Sequence, residues 1–93
     1  MENIREPIYR DIDDERERQE RKFGPQRHDW AVWSAILSEE CGEVAEACLR
    51  ARWGEDRDLD HLREELIQVA AVAVQIVEKI DSGDYPESSP RGA

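Results

Sequence analysis

Ser38-Glu39-Glu40-Cys41-Gly42-Glu43-Val44-Ala45-Glu46 crowds four carboxylates into little more than two turns of a helix. With Glu43 at zero and about 100° per residue, Glu40 falls at about +60°, Glu39 at about −40° and Glu46 at about −60°, a shared arc of roughly 120°. Like charges at i,i+3 and i,i+4 destabilise a helix by roughly 0.2–0.5 kcal/mol per pair. The cluster therefore asks for a positive counterpart, either a divalent cation or basic side chains. On the same wheel Trp33, Leu37, Cys41, Val44 and Cys48 lie between about +80° and +160°, so the expected buried stripe has Glu40 at its margin.

Outward from this stretch, Asp29 is suited to cap the helix and Gly54 to close it after Trp53. Trp30 and Trp33 recur at helical spacing with Leu37 and Val44 and read first as core, with base stacking as the functional alternative. Upstream, Pro7 suits a first helical position, and the charged run Tyr9 to Lys22 ends at Gly24-Pro25. Its acids come early and its bases late, as the helix dipole favours. Ile8 and Ile12 begin an inward stripe that Glu15 and Gln19 continue, leaving Gln19 and Lys22 available to a ligand.

Downstream, a third helix is expected from about Leu59 to Asp81. Leu59, Leu62, Leu66, Val69, Ala73, Ile76 and Ile80 form a packing seam in 3,4 alternation. Residues 66–77 are apolar nearly all round, as at a subunit interface. Glu65 falls at the edge of that stripe, and an antiparallel αα-hairpin with the second helix brings it toward Glu40 and Glu43. Oxygen-only ligation of this kind suits Mg²⁺ or Mn²⁺ and phosphate chemistry. The plain counter-reading is that a chain with 39% charged residues places acids on helix faces by chance.

The 93 residues make one all-α domain over 1–81, with 82–93 read as a disordered tail because two prolines, two glycines and three serines leave little to bury. A net charge of −10 argues against direct nucleic-acid or anionic-membrane binding. No apolar run is long enough to span a membrane, and Met1 is followed by a charged segment, so the expected location is cytoplasmic. Cys41 and Cys48, seven apart on one helix, are expected to be core thiols. No Glu-x-x-His pair, zinc-spaced Cys/His set or Gly-rich phosphate loop occurs.

Glu39-Glu40-x-x-Glu43, followed by Glu65 in Glu-Glu-Leu-Ile-Gln, resembles the EExxE…ExxD signature of the all-α MazG-like nucleoside triphosphate pyrophosphohydrolases. The likeness covers most of residues 8–81, including Glu15–His28, Glu39–Ala47 and Arg63–Val74. The resemblance implies a three-helix protomer in a four-helix-bundle homodimer or homotetramer. It also implies Mg²⁺-dependent cleavage of a nucleoside triphosphate to monophosphate and pyrophosphate. It assigns Glu40, Glu43 and Glu65 as metal ligands and Glu39 as their accompanying catalytic glutamate. Gln68 stands where the family has aspartate: it can ligate through its amide oxygen but is neutral, which weakens the metal site. Gln19, Lys22 and Trp33 are the expected nucleotide contacts. A weak or inactive nucleotide-binding relative and an acidic helical interaction protein are the competing readings.

Overall fold

A computed structural model describes residues 3–54 and 59–87. Among them the chain forms three α-helices and no strand: α1 (Arg5–Phe23), α2 (Trp30–Trp53) and α3 (Leu59–Ser82). The residues between Gly54 and Leu59 and the last six residues of the expected tail lie outside the described residues.

Local chemistry sets the helix ends. Asn3 Oδ1 accepts from the amides of Arg5 (3.1 Å) and Glu6 (3.3 Å), so α1 starts two residues before Pro7. Pro7 then occupies the first turn, where an amide has no intrahelical partner to lose. Gly24 ends α1 with φ 68°, a conformation in which a side chain is strained, and its amide donates to the Glu20 carbonyl at 2.8 Å. Asp29 caps α2 as expected, its Oδ1 accepting from Ala31 (2.8 Å) and Val32 (3.2 Å).

α3 packs against both other helices, whose backbones do not pack against each other among the described residues. Early α2 residues meet late α3 residues around one hollow, and late α2 meets early α3 around another, so α2 and α3 run antiparallel. α1 is fastened to α3 by charge. The buried Arg16 donates to Glu78 at 2.7 and 3.3 Å and to Glu20 at 2.7 Å, and Arg63 reaches Asp11 at 2.6 Å.

The buried apolar residues are Trp33, Ala47, Ala71 and Val72. On α2 the inward line is Trp33, Glu40, Ala47, spaced by seven, so Glu40 lies on the centre of the buried stripe instead of its margin. Cys41 and Cys48 point away from this line and are exposed, which corrects the expectation of core thiols. On α3 the seam is turned differently from the expectation. With Leu66 at zero, the buried Ala71, Val72, Gln75 and Lys79 span the arc from about +140° through 180° to about −120°. Leu66, Ala73, Val77 and Ile80 lie within about 40° of zero. Leu66 is 46% exposed and Ile80 55%. The buried side of α3 is mixed, with Gln75 donating to Gln26 at 3.5 Å and Lys79 to Asp84, and the most apolar line is left facing outward.

α3 runs one residue past its expected end. From Gly83 (φ 72°) the chain folds back. Asp84 accepts from Lys79 Nζ at 3.0 Å and pairs with Arg27 at 3.4 Å, and Tyr85 packs on Trp30 with ring centroids 5.1 Å apart. These contacts hold the α1–α2 connector to the end of α3, so residues read as the start of the tail form part of the fold.

Candidate metal centre and adjoining cavity

Glu40 and Glu43 come from consecutive turns of α2, and Glu65 comes from the first half of α3. One carboxylate oxygen from each lies within 4.8 Å of the others. The antiparallel pairing of α2 and α3 is what brings Glu65 to the α2 pair. Glu40 Oε2 and Glu65 Oε2 are buried without a hydrogen-bond partner.

Both carboxyls are hard to ionise in this setting. Burial is the largest cause of the raised Glu40 pKa, followed by the charges of Glu43, Glu65 and Glu39. Glu65 is raised by burial first, then by the adjacent Glu43 carboxyl, with His61 opposing. A cation among the three would remove both penalties. The donor set, all carboxylate oxygen with two orphaned atoms, fits a hard divalent ion.

The cluster stands between two hollows. On the outer side, Glu43, Glu46, Arg50, His61 and Glu65 surround a polar hollow of about 200 Å³. Arg50 pairs there with Glu46 at 2.7 Å, and His61 Nε2 lies 3.8 Å from Glu65. On the inner side, a cavity of about 210 Å³ opens between α1 and α2 with α3 as its base. Phe23, Ile36 and Val72 give it apolar walls, and Gln19, Trp33, Glu40 and Gln75 give it polar ones. Glu40 belongs to both the cavity wall and the cluster.

Trp33 is 2% exposed, yet its Nε1 donor has no partner, and Gln19 Oε1 is likewise buried and unpaired. His28 meets the Trp33 ring edge-on at 5.0 Å and holds it in place.

Of the residues singled out in the sequence, Glu40, Glu43 and Glu65 converge, and Gln19 and Trp33 share the cavity. Glu39 is exposed on α2 outside both hollows, close enough for its charge to act on Glu40. Lys22 is exposed, its ammonium 5.1 Å above the Phe23 ring, and does not line the cavity. Gln68 is half-buried one turn beyond Glu65, lines neither hollow and makes no side-chain hydrogen bond to a described residue. Sequence reasoning missed Gln75 and Arg50 as wall residues. Gln75 carried a signal, as a polar break in an apolar run; Arg50 carried none beyond its place on the last turn of α2.

No family model, curated protein or solved structure matches the chain.

Proposed function

We propose that the chain is a metal-dependent nucleoside triphosphate pyrophosphohydrolase of the MazG-like type, acting as a homo-oligomer. The observation that carries this reading is the carboxylate trio set between a polar hollow and a small, mostly apolar cavity, with Glu40 common to both. A nucleotide has the same division, a flat base at one end and a polyanion at the other. The cavity is smaller than the roughly 300–1,000 Å³ that encloses a drug-sized ligand, so it suits a single ring system.

In this reading Glu40, Glu43 and Glu65 hold Mg²⁺ or Mn²⁺. Bound there, the ion supplies neutralising charge and Lewis acidity for a triphosphate. The protein's own groups do the rest. Trp33 and Gln19 receive the base, and Arg50 faces the phosphates from the outer hollow. Glu39, outside both hollows, acts on the centre only through its charge on Glu40. Gln68, neutral where the resemblance expects aspartate, lowers the metal affinity without removing the trio. A second reading, nucleotide binding without turnover, rests on that one residue.

The exposed line Leu59, Leu66, Ala73, Val77 and Ile80 supports the oligomer: it is the most apolar stripe of α3, and no described residue of one copy buries it. A second copy bringing the same stripe would close a four-helix bundle.

Thermal unfolding with and without metal tests the ligand set. Mg²⁺ or Mn²⁺ at about 100 times its dissociation constant should add about 2.7 kcal/mol to the wild type, and Glu43→Gln should remove most of that gain. An equal gain in Glu43→Gln, or none in the wild type, would reject the metal centre.

A further inference from the structure

The inner cavity holds an unexplained pair of polar atoms. Trp33 Nε1 can only donate and Gln19 Oε1 can only accept; both atoms are buried without partners, and both residues line this cavity. They are complementary to each other, yet no hydrogen bond joins them. A ligand edge that accepts from one and donates to the other satisfies both.

An amide can present either end, so the orientation of Gln19 needs a cause, and the structure supplies one. Gln19 Nε2 donates to Glu15 Oε2 at 3.4 Å. Glu15 is itself clamped by Arg18, whose Nε and Nη2 donate to the two carboxylate oxygens at 2.9 and 2.6 Å. The Glu15 side chain is only 13% exposed. An ionised carboxylate accepts and never donates, so the end of Gln19 facing it must be the NH₂ end. The carbonyl end is thereby fixed as the acceptor.

We propose that the Arg18–Glu15–Gln19 relay makes this cavity selective for amino-bearing bases over their keto counterparts, cytosine over uracil and adenine over hypoxanthine. The inference rests on the nucleotide reading above. An amino base offers an exocyclic N–H beside a ring nitrogen acceptor, which matches Gln19 Oε1 and Trp33 Nε1. In the same pose a keto base sets its carbonyl lone pairs against Gln19 Oε1 and its ring N–H against the indole N–H. The Glu15 carboxylate behind Gln19 also favours the edge that donates. Glu15 and Arg18 touch no ligand; they are positioning residues that act through Gln19.

The test is a ¹⁵N NMR titration of the full chain with CMP, UMP, AMP and IMP in the presence of Mg²⁺, following the indole Nε1–H of Trp33. Trp33→Phe assigns that signal. Wild type should bind CMP over UMP, and AMP over IMP, by about tenfold or more, the weight of one hydrogen bond. In Glu15→Gln, Arg18 engages the new amide oxygen and the NH₂ faces Gln19, which then turns its own NH₂ into the cavity. The preference should shrink to parity or reverse while helix content, read by circular dichroism, stays unchanged. Equal affinities in the wild type, a wild-type preference for the keto bases, an unchanged ratio in Glu15→Gln, or no movement of the Trp33 signal would each overturn the inference. Pyrophosphate release without base discrimination would overturn it and leave the hydrolase reading intact. Discrimination without pyrophosphate release would support it and count against the hydrolase reading alone.

Discussion

Glu40 belongs both to the carboxylate trio and to the wall of the inner cavity. It lies between Trp33 and Ala47 on the buried line of α2, where a leucine would pack better, and one of its oxygens has no partner. Its raised pKa, like that of Glu65, has a definite thermodynamic sign. The folded state holds these protons more tightly than the unfolded chain. In the metal-free protein, stability therefore falls as pH rises from the ordinary value near 4.5 through the raised one, and levels off above it. Glu40→Gln removes the titrating group, so the wild-type-minus-mutant difference in unfolding free energy should become more negative across that window. At pH 7 without metal the mutant should be the more stable by about 0.2–0.5 kcal/mol for each relieved repulsion of the Glu40–Glu43 kind. With Mg²⁺ the order should invert, since the mutant lacks a ligand. Urea denaturation at pH 4.5 and pH 7, with and without Mg²⁺, reads both effects. A mutant less stable than wild type at pH 7 without metal would mean that Glu40 is simply well accommodated.

At the scale of elements, α1 depends on its charged contacts. Its inward face is Ile8, Ile12, Glu15, Arg16 and Gln19, and the buried member is an arginine. Arg16→Ala leaves Glu78 and Glu20 without their donor and opens a gap against α3. A loss of about 1–3 kcal/mol is expected by chemical denaturation. A change under about 0.5 kcal/mol would show that α1 is held by other contacts. Much of this level was legible in the sequence. Asp29, Gly24 and Gly54 mark helix ends by local chemistry, respectively a side-chain cap, a positive φ and a close approach to the Arg50 carbonyl, and α2 came out between the expected residues. The continuation of the α1 stripe through Glu15 and Gln19 was also readable, since periodicity alone sets it. The rotation of α3 was not. Periodicity says which residues share a face, not which neighbour takes that face. Here the side of α3 carrying Ala71, Val72, Gln75 and Lys79 is the one turned inward. The same blind spot put Cys41 and Cys48 in the core and Glu40 at its margin. For the site, the trio followed from wheel angles and one hairpin, whereas Arg50, Gln75 and the Glu15 relay depend on side-chain paths that spacing does not encode.

For the molecule as a whole, the outward stripe on α3 predicts association. A single copy buries few large apolar side chains and leaves Leu59, Leu66, Val77 and Ile80 exposed along one line. Sedimentation velocity should give a species of two or more chains, and Leu66→Glu with Ile80→Glu should shift it to the monomer with loss of thermal stability. A wild type that stays monomeric at high micromolar concentration would remove the four-helix bundle from the account. The acidic balance of −10 leaves the phosphate end of any nucleotide dependent on a cation, so association, metal and activity belong to one scheme.

In the proposed reaction a divalent ion held by Glu40, Glu43 and Glu65 would support cleavage of a nucleoside triphosphate between its α- and β-phosphates. The direct measurement is product identification from canonical and modified nucleoside triphosphates, with Mg²⁺ or Mn²⁺ against chelator, in the wild type, Glu43→Gln and Gln68→Asp. The account predicts monophosphate and pyrophosphate in equal amounts with metal only, none from Glu43→Gln, and faster release from Gln68→Asp. Diphosphate and inorganic phosphate as products, or no turnover by either the wild type or Gln68→Asp, would contradict it.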